Sequence, residues 1–201
     1  MLTQSDEPCS ADAIFVLAGG QDRKNFGFEL FRQGLAPRIL LSVGRFEIRR
    51  FAELVHGRSV DLLGIAAHIP RPQRHFFVDF QRAETEVHWI RPSRPGTLCE
   101  MKALRKWIEE NRDIASVLVV SSGMHLKRLR VCAQALFARK INLRFCAAPI
   151  GFKAGIHKGA GEAETPSWSP VLLECLKLVI YSTILSIRLS GLRRFMGLGQ
   201  P

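Results

Sequence analysis

No two cysteines in this chain form a C-x-x-C pair. The five that occur, Cys9, Cys99, Cys132, Cys146 and Cys175, are scattered and odd in number. That argues against a disulfide framework and for a reducing, cytoplasmic compartment. His56, His68, His75, His88 and His157 show no ligand spacing such as H-E-x-x-H, so no structural zinc is expected. Paired Cys/His spacings for a zinc finger are missing. So is any alternation of aromatic with basic residues that would build a stacking platform; no nucleic-acid module is visible. There is no internal repeat and no low-complexity tract. The N-terminal MLTQSDEPCSADAIFVLAGG is acidic before a short apolar run that ends in glycines, which reads as neither signal peptide nor membrane anchor. Acidic residues are in deficit, 18 Asp+Glu against 29 Lys+Arg, for a net charge of +11. This balance points to anionic partners (phosphate compounds, nucleic acid or an acidic membrane surface) without choosing among them.

What is present is enough apolar material for one sizeable domain: 201 residues, 47% hydrophobic. Ala13 to Ala18 reads as a strand closed by Gly19-Gly20, and Asn25 to Gln33 as a helix stopped by Gly34 and Pro37. Arg38 to Val43 reads as a second strand. A strand, a helix and a strand within about thirty residues make a βαβ unit, which requires a parallel sheet. Arg45 to His56 reads as a helix. His75 to Phe80 and Val87 to Ile90 read as strands, either a hairpin or one of them central. Thr97 is placed to cap a helix with Glu100 three residues on, the spacing of a capping box, and Leu98, Met101, Leu104, Trp107 and Ile108 give that helix its apolar stripe. Ile141 to Ala147 is a final strand. The expected architecture is a three-layer, Rossmann-like α/β fold with a mostly parallel central sheet over 1–150. Residues 151–201 supply a loop and an apolar helix, Val171 to Leu192. Glu174, Lys177 and Arg188 interrupt that helix too closely for a bilayer span. Docking on the sheet domain is expected, with an acidic membrane surface as the alternative contact.

Ser116 to Phe137 carries the densest chemistry. Val117 to Val120 is a continuous apolar run, as in a strand buried on both faces. Ser121-Ser122-Gly123 breaks it, and Leu126, Leu129, Ala133 and Leu136 continue at helical spacing. Ser122 is expected to cap the helix through its hydroxyl. His125 and Arg128, three apart, share one face of the first turns. Amides, hydroxyls, an imidazole and a guanidinium at the positive end of a helix dipole make an anion site, although the same turn can serve purely as scaffold.

The loops resemble those of the YdcF/SanA/ElyC-like family of bacterial Rossmann-like domains. The resemblance rests on Val16-Leu17-Ala18-Gly19-Gly20 with Arg23, on Gly34-Leu35-Ala36-Pro37 before a strand and Ser42-Val43-Gly44, and on Ser121-Ser122-Gly123-Met124-His125-Leu126-Lys127-Arg128. It spans about Ala11 to Ala147. It departs where the family's S-x-N-T-x-E loop falls on Arg94 to Cys99, with only Thr97 matching and Glu100 one position late, and where Met124 replaces a tyrosine. The resemblance implies a bacterial protein that binds or acts on a small anionic molecule, phosphorylated or nucleotide-like, with S-adenosylmethionine a candidate cofactor. It also implies an alternative role in the cell envelope, handling an anionic lipid carrier from a peripheral position on the inner membrane. Non-specific nucleic-acid binding rests on net charge alone. The expected ligand-binding set is Gly19, Gly20, Arg23, Thr97, Glu100, Ser121, Ser122 and Arg128, with His125 as the acid/base candidate. Glu100 also serves as an ordinary capping carboxylate. Ser121 or Ser122 as nucleophile lacks the G-x-S-x-G context.

Overall fold

The computed structural model describes residues 5–44, 47, 67–68, 70, 75–81, 85–89, 96–137 and 141–152. The elements are β1 (Ala13–Val16), α1 (Gln21–Arg32), β2 (Arg38–Val43), β3 (Phe76–Gln81), β4 (Thr85–Trp89), α2 (Gly96–Glu110), β5 (Ser116–Ser121), α3 (Gly123–Leu136) and β6 (Asn142–Ala147). The helix expected over Arg45 to His56 falls, Glu47 apart, outside the described residues, as does the apolar helix expected over Val171 to Leu192. No helix among the described residues is long and apolar enough to cross a membrane.

The fold is α/β with one six-stranded sheet in the order β4-β3-β2-β1-β5-β6. Strands β2, β1, β5 and β6 run parallel. β3 is antiparallel to β2, and β4 is antiparallel to β3. The hairpin alternative therefore holds for these two strands, and β4 is the outer one. β5 lies between β1 and β6, as a run buried on both faces requires.

Period-two alternation divides the core into two. Phe15, Leu17, Leu40, Val117 and Val119 turn one face toward Leu98, Met101, Leu104 and Trp107 of α2 and Leu126 and Leu129 of α3. Ile14, Val16, Ile39, Leu41, Leu118 and Val120 turn the other toward Leu30 of α1. Helices on both faces make three layers. Each fully buried aliphatic or Phe side chain contributes about 1.5–3 kcal/mol. Gly27 lets α1 sit tightly on β1, since a Cβ there would come 2.3 Å from Val16 Cγ2. α1 begins at Gln21, four residues before the expected start, so that Arg23 and Lys24 lie within its first turn.

Asp12 pins β1 to β5 at the opposite end from the loops of interest. Its Oδ2 accepts from the Ala115 amide at 2.9 Å, the Ser116 amide at 2.8 Å and the Ser116 hydroxyl at 2.8 Å. The Ser116 hydroxyl bond, and then the two amides, hold its pKa below the usual carboxylate value against the opposing cost of burial. From β1 the chain first builds the sheet toward β2, then returns to build outward from β5. β1 and β5 thus flank a switch point, and the crevice beyond their carboxyl ends is where such sheets hold ligands.

Candidate functional site

A pocket of ≈ 180 Å³ opens at this crevice. Leu17, Ala18 and Gly19 enter it after β1, Arg23 from α1, Thr97 and Glu100 from α2, Ser121 from the end of β5, and His125 and Arg128 from α3. Seven of the nine sequence-chosen residues thus share one cavity. The other two lie beside it. Gly20 is the N-cap residue of α1. Ser122 is the N-cap residue of α3, but its hydroxyl makes no capping bond. It accepts instead from Arg23 Nη2 at 2.9 Å, because the guanidinium reaches it from the first turn of α1.

Gly19 shapes this corner. Its φ is +146°, and a Cβ would stand 2.4 Å from Arg23 Nη1. Both the backbone and the close approach of the guanidinium require glycine here. Arg23 Nη1 also donates to the Ala18 carbonyl at 2.6 Å, so the arginine is folded back over its own loop. Arg128 is buried, with 7% exposure. Its Nε donates to Thr97 Oγ1 at 3.2 Å, and its Nη2 to His125 Nδ1 at 3.2 Å. A guanidinium has no acceptor to offer, so Nδ1 is unprotonated in this arrangement and the ring proton is on Nε2. Ser121 is fully buried, lines the pocket, and its hydroxyl has no hydrogen-bond partner among the described residues. An orphaned buried hydroxyl is costly unless something completes it.

Thr97 and Glu100 do not form the expected capping box. Thr97 lies inside α2, one residue after its start, with its hydroxyl committed to Arg128. Glu100 turns away from its own helix end toward the sheet. Its Oε1 accepts from the Ala18 amide at 2.8 Å and from the Ser42 hydroxyl at 2.7 Å. Ser42 Oγ is also 2.9 Å from His75 Nε2. Since Ser42 donates to Glu100, the imidazole donates to Ser42. Burial raises the Glu100 pKa to about 7, against the lowering effect of these two hydrogen bonds. Burial, and then the charge of Lys24, lower the His75 pKa to about 4, so the ring is neutral near pH 7.

The structure adds Lys24, Ser42, Glu47 and His75 to the expected residue set. Lys24 is buried, at 2% exposure, and its Nζ is 2.6 Å from Glu47 Oε2. Burial lowers its pKa and Glu47 opposes the shift. Glu47 Oε2 also accepts from the Gly44 amide at 3.2 Å, which ties the end of β2 to α1. The sequence holds two signals that could have found them. Ser42 is a polar interruption in an otherwise apolar strand, and Lys24 stands three residues before Gly27 on the inward face of α1.

A second polar cluster lies at the other end of β2. Arg38 Nη2 is 2.6 Å from the fully buried Asp79 Oδ2, and Nη1 donates to Asn111 Oδ1 at 3.0 Å. The guanidinium stands 4.8 Å from the Trp107 ring centroid. Asp79, Glu86 and His88 bring ligand-type atoms within 4.8 Å of one another. The local spacing of His88 could not show this, because the grouping is made by cross-strand pairing of β3 with β4. Arg38 already occupies Asp79, and a cation there would compete with it.

Comparison of the chain with family models, with curated proteins and with solved structures finds no match.

Proposed function

We propose that the crevice beyond β1 and β5 binds the anionic group of a small metabolite, a phosphate or a carboxylate. The observation that carries this reading is the buried Ser121 hydroxyl, without a partner among the described residues, in a pocket also lined by Arg23 and Arg128. An anion would complete the hydroxyl and accept charge-assisted hydrogen bonds from guanidiniums on two different helices. The start of α3 at the rim adds a favourable dipole. The volume of ≈ 180 Å³ is below the roughly 300–1,000 Å³ of pockets that enclose a drug-sized ligand. The cavity therefore takes the anionic end of its ligand, and the rest of the molecule lies toward the opening. Phosphorylated and nucleotide-like metabolites fit this description. S-adenosylmethionine, through its carboxylate, is the cofactor to test alongside them, in keeping with the YdcF-like motifs.

His125 has two roles open to it, and they separate by measurement. In a binder it contributes one hydrogen bond to the anion, and His125→Ala lowers affinity. In an enzyme it transfers a proton, and the same substitution abolishes turnover while substrate still binds. The test of the reading itself is a thermal-shift screen with inorganic phosphate, phosphate monoesters, nucleotides, S-adenosylmethionine and polyprenyl phosphate. A ligand of the native state raises the midpoint in a saturable way. If no anion in the set shifts it, the reading is wrong. A response to polyprenyl phosphate alone would favour the lipid-carrier role over a soluble metabolite.

A further inference from the structure

Glu100 is the feature of the pocket that a simple anion site does not need. Its side chain is buried, lines the cavity, and faces the same space as Arg23, Arg128 and His125. A carboxylate there would repel the anion that the guanidiniums attract. The charge of Arg23 favours its ionisation but is outweighed by burial. Among the described residues, His75 comes within ion-pairing distance, with Nε2 at 3.9 Å from Glu100 Oε1, and that ring is neutral near pH 7. Lys24 is close enough to be felt but is held by Glu47, itself an acid that works against ionising Glu100.

The hydrogen bonds show how the carboxyl is oriented. Both donors, the Ala18 amide and the Ser42 hydroxyl, go to Oε1. Ser42 is in turn 2.9 Å from His75 Nε2. The bonds to Oε1 come from neutral groups, and they saturate that oxygen as an acceptor. A proton on this carboxyl therefore sits on Oε2. There it becomes a donor, and the group changes from an opponent of the anion to a ligand for it.

We propose that the pocket binds a tetrahedral oxyanion, of the phosphate-monoester class, together with one proton that Glu100 carries on Oε2. This rests on the anion-site reading above and narrows it. Arg23, Ser121, Arg128 and protonated Glu100 approach from α1, β5, α3 and α2. Four donors from four walls match the several oxygens of a phosphate better than the two of a carboxylate. The proton comes from solvent as the anion binds and returns when it leaves, so no other reactant is required. Proton uptake is then part of recognition, and affinity rises as pH falls.

Inorganic sulfate is the probe, because it keeps one charge state across the range and its own titration cannot mimic the effect. With the Glu100 pKa at about 7, affinity should rise about tenfold between about pH 8 and about pH 6 if only the protonated form binds. Calorimetric titrations at about pH 8 in two buffers of different ionisation enthalpy count the protons taken up, and nearly one per sulfate is expected. Glu100→Gln places an amide N–H where Oε2–H would be, so it should bind sulfate with no uptake and no pH dependence. His125 is the imidazole among the described residues that line the pocket, and His125→Gln should retain the uptake per sulfate bound. Loss of uptake in His125→Gln would overturn the proposal by making His125 the carrier. Sulfate binding by the unmodified chain without uptake would also overturn it, even if Glu100→Gln fails to fold, and leaves the anion site standing. Absence of sulfate binding at every pH would overturn both.

Discussion

Arg23 Nη2 donates to the hydroxyl of Ser122 across 2.9 Å, joining the first turn of α1 to the cap of α3. These residues are 99 positions apart, and they meet because β1 and β5 are neighbours in the sheet. The bond determines what Arg23→Ala should do. It removes one charge from the pocket and one tie between its walls, without touching either core. A lost charge-assisted contact costs roughly 1.5–3 kcal/mol, or about one to two decades of affinity. Sulfate or phosphate titration should show that loss, with the unfolding midpoint in urea little changed. Equal affinity in the variant would remove Arg23 from the site.

Gly19→Ala should reproduce much of the Arg23 defect without changing any charge. The new methyl would meet Arg23 Nη1 at 2.4 Å, and the φ of +146° disfavours any side chain. Either the guanidinium or the loop must move. Gly20→Ala is the control, because a Cβ there meets nothing within 4 Å. Anion affinity should fall in the first variant and stay within about twofold in the second. Comparable affinities in the two would show that the corner is softer than its geometry implies.

The sheet was largely legible because burial on both faces leaves a continuous apolar run. Arg38–Val43 and Ser116–Ser121 coincide with the strands read from such runs. The strands Phe76–Gln81 and Thr85–Trp89 were visible, but their pairing was not, since antiparallel partners leave no local mark of which neighbour each will choose. The site was legible as a set of loops and illegible as a network. Thr97 and Glu100 fit a capping box by spacing, yet their side chains serve Arg128 and the end of β1. Glu100 finds the Ala18 amide 82 positions away, a partner that no helical periodicity encodes.

Arg128→Lys should separate charge from shape. The substitution keeps the positive charge in the pocket but loses the planar fork that reaches both Thr97 and His125. Anion affinity should fall by about tenfold, and Thr97→Val, which removes only the acceptor of Arg128 Nε, should cause a smaller loss. If lysine binds anions as well as arginine, the fork is packing and only its charge matters.

Arg38→Met should destabilise the fold more than any of the pocket substitutions. It leaves Asp79, fully buried, without the partner now 2.6 Å from its Oδ2. Breaking a buried pair on one side costs about 3–5 kcal/mol. Adding Asp79→Asn should recover part of that, because the stranded charge is gone. Urea midpoints of the two single variants and the double variant measure the coupling. Strictly additive losses would mean that the pair does not act as one unit.

Glu100 and His75 should give stability opposite slopes against pH. Burial holds Glu100 protonated to about pH 7, whereas the unfolded carboxyl titrates near 4.5. Between these values the folded chain binds more protons, so the contribution of Glu100 is greatest below about pH 4.5 and is lost as pH rises toward 7. Burial keeps His75 neutral down to about pH 4, whereas the unfolded ring titrates near 6.5. Its contribution is greatest above about pH 6.5 and is lost as pH falls toward 4. Asp12, held below its usual 3.8, titrates beneath this window. The two slopes offset one another between about pH 5 and 6.5, and the unmodified protein should be nearly flat there. Glu100→Gln removes one slope, and the variant should lose stability on acidification. His75→Gln keeps a side-chain amide near Ser42 and removes the other slope, so it should lose stability as pH rises from about 5 to 7. Urea unfolding of the three proteins across the window reads both signs directly. A Glu100→Gln protein whose stability holds or rises on acidification would show that His75 is not kept neutral by burial.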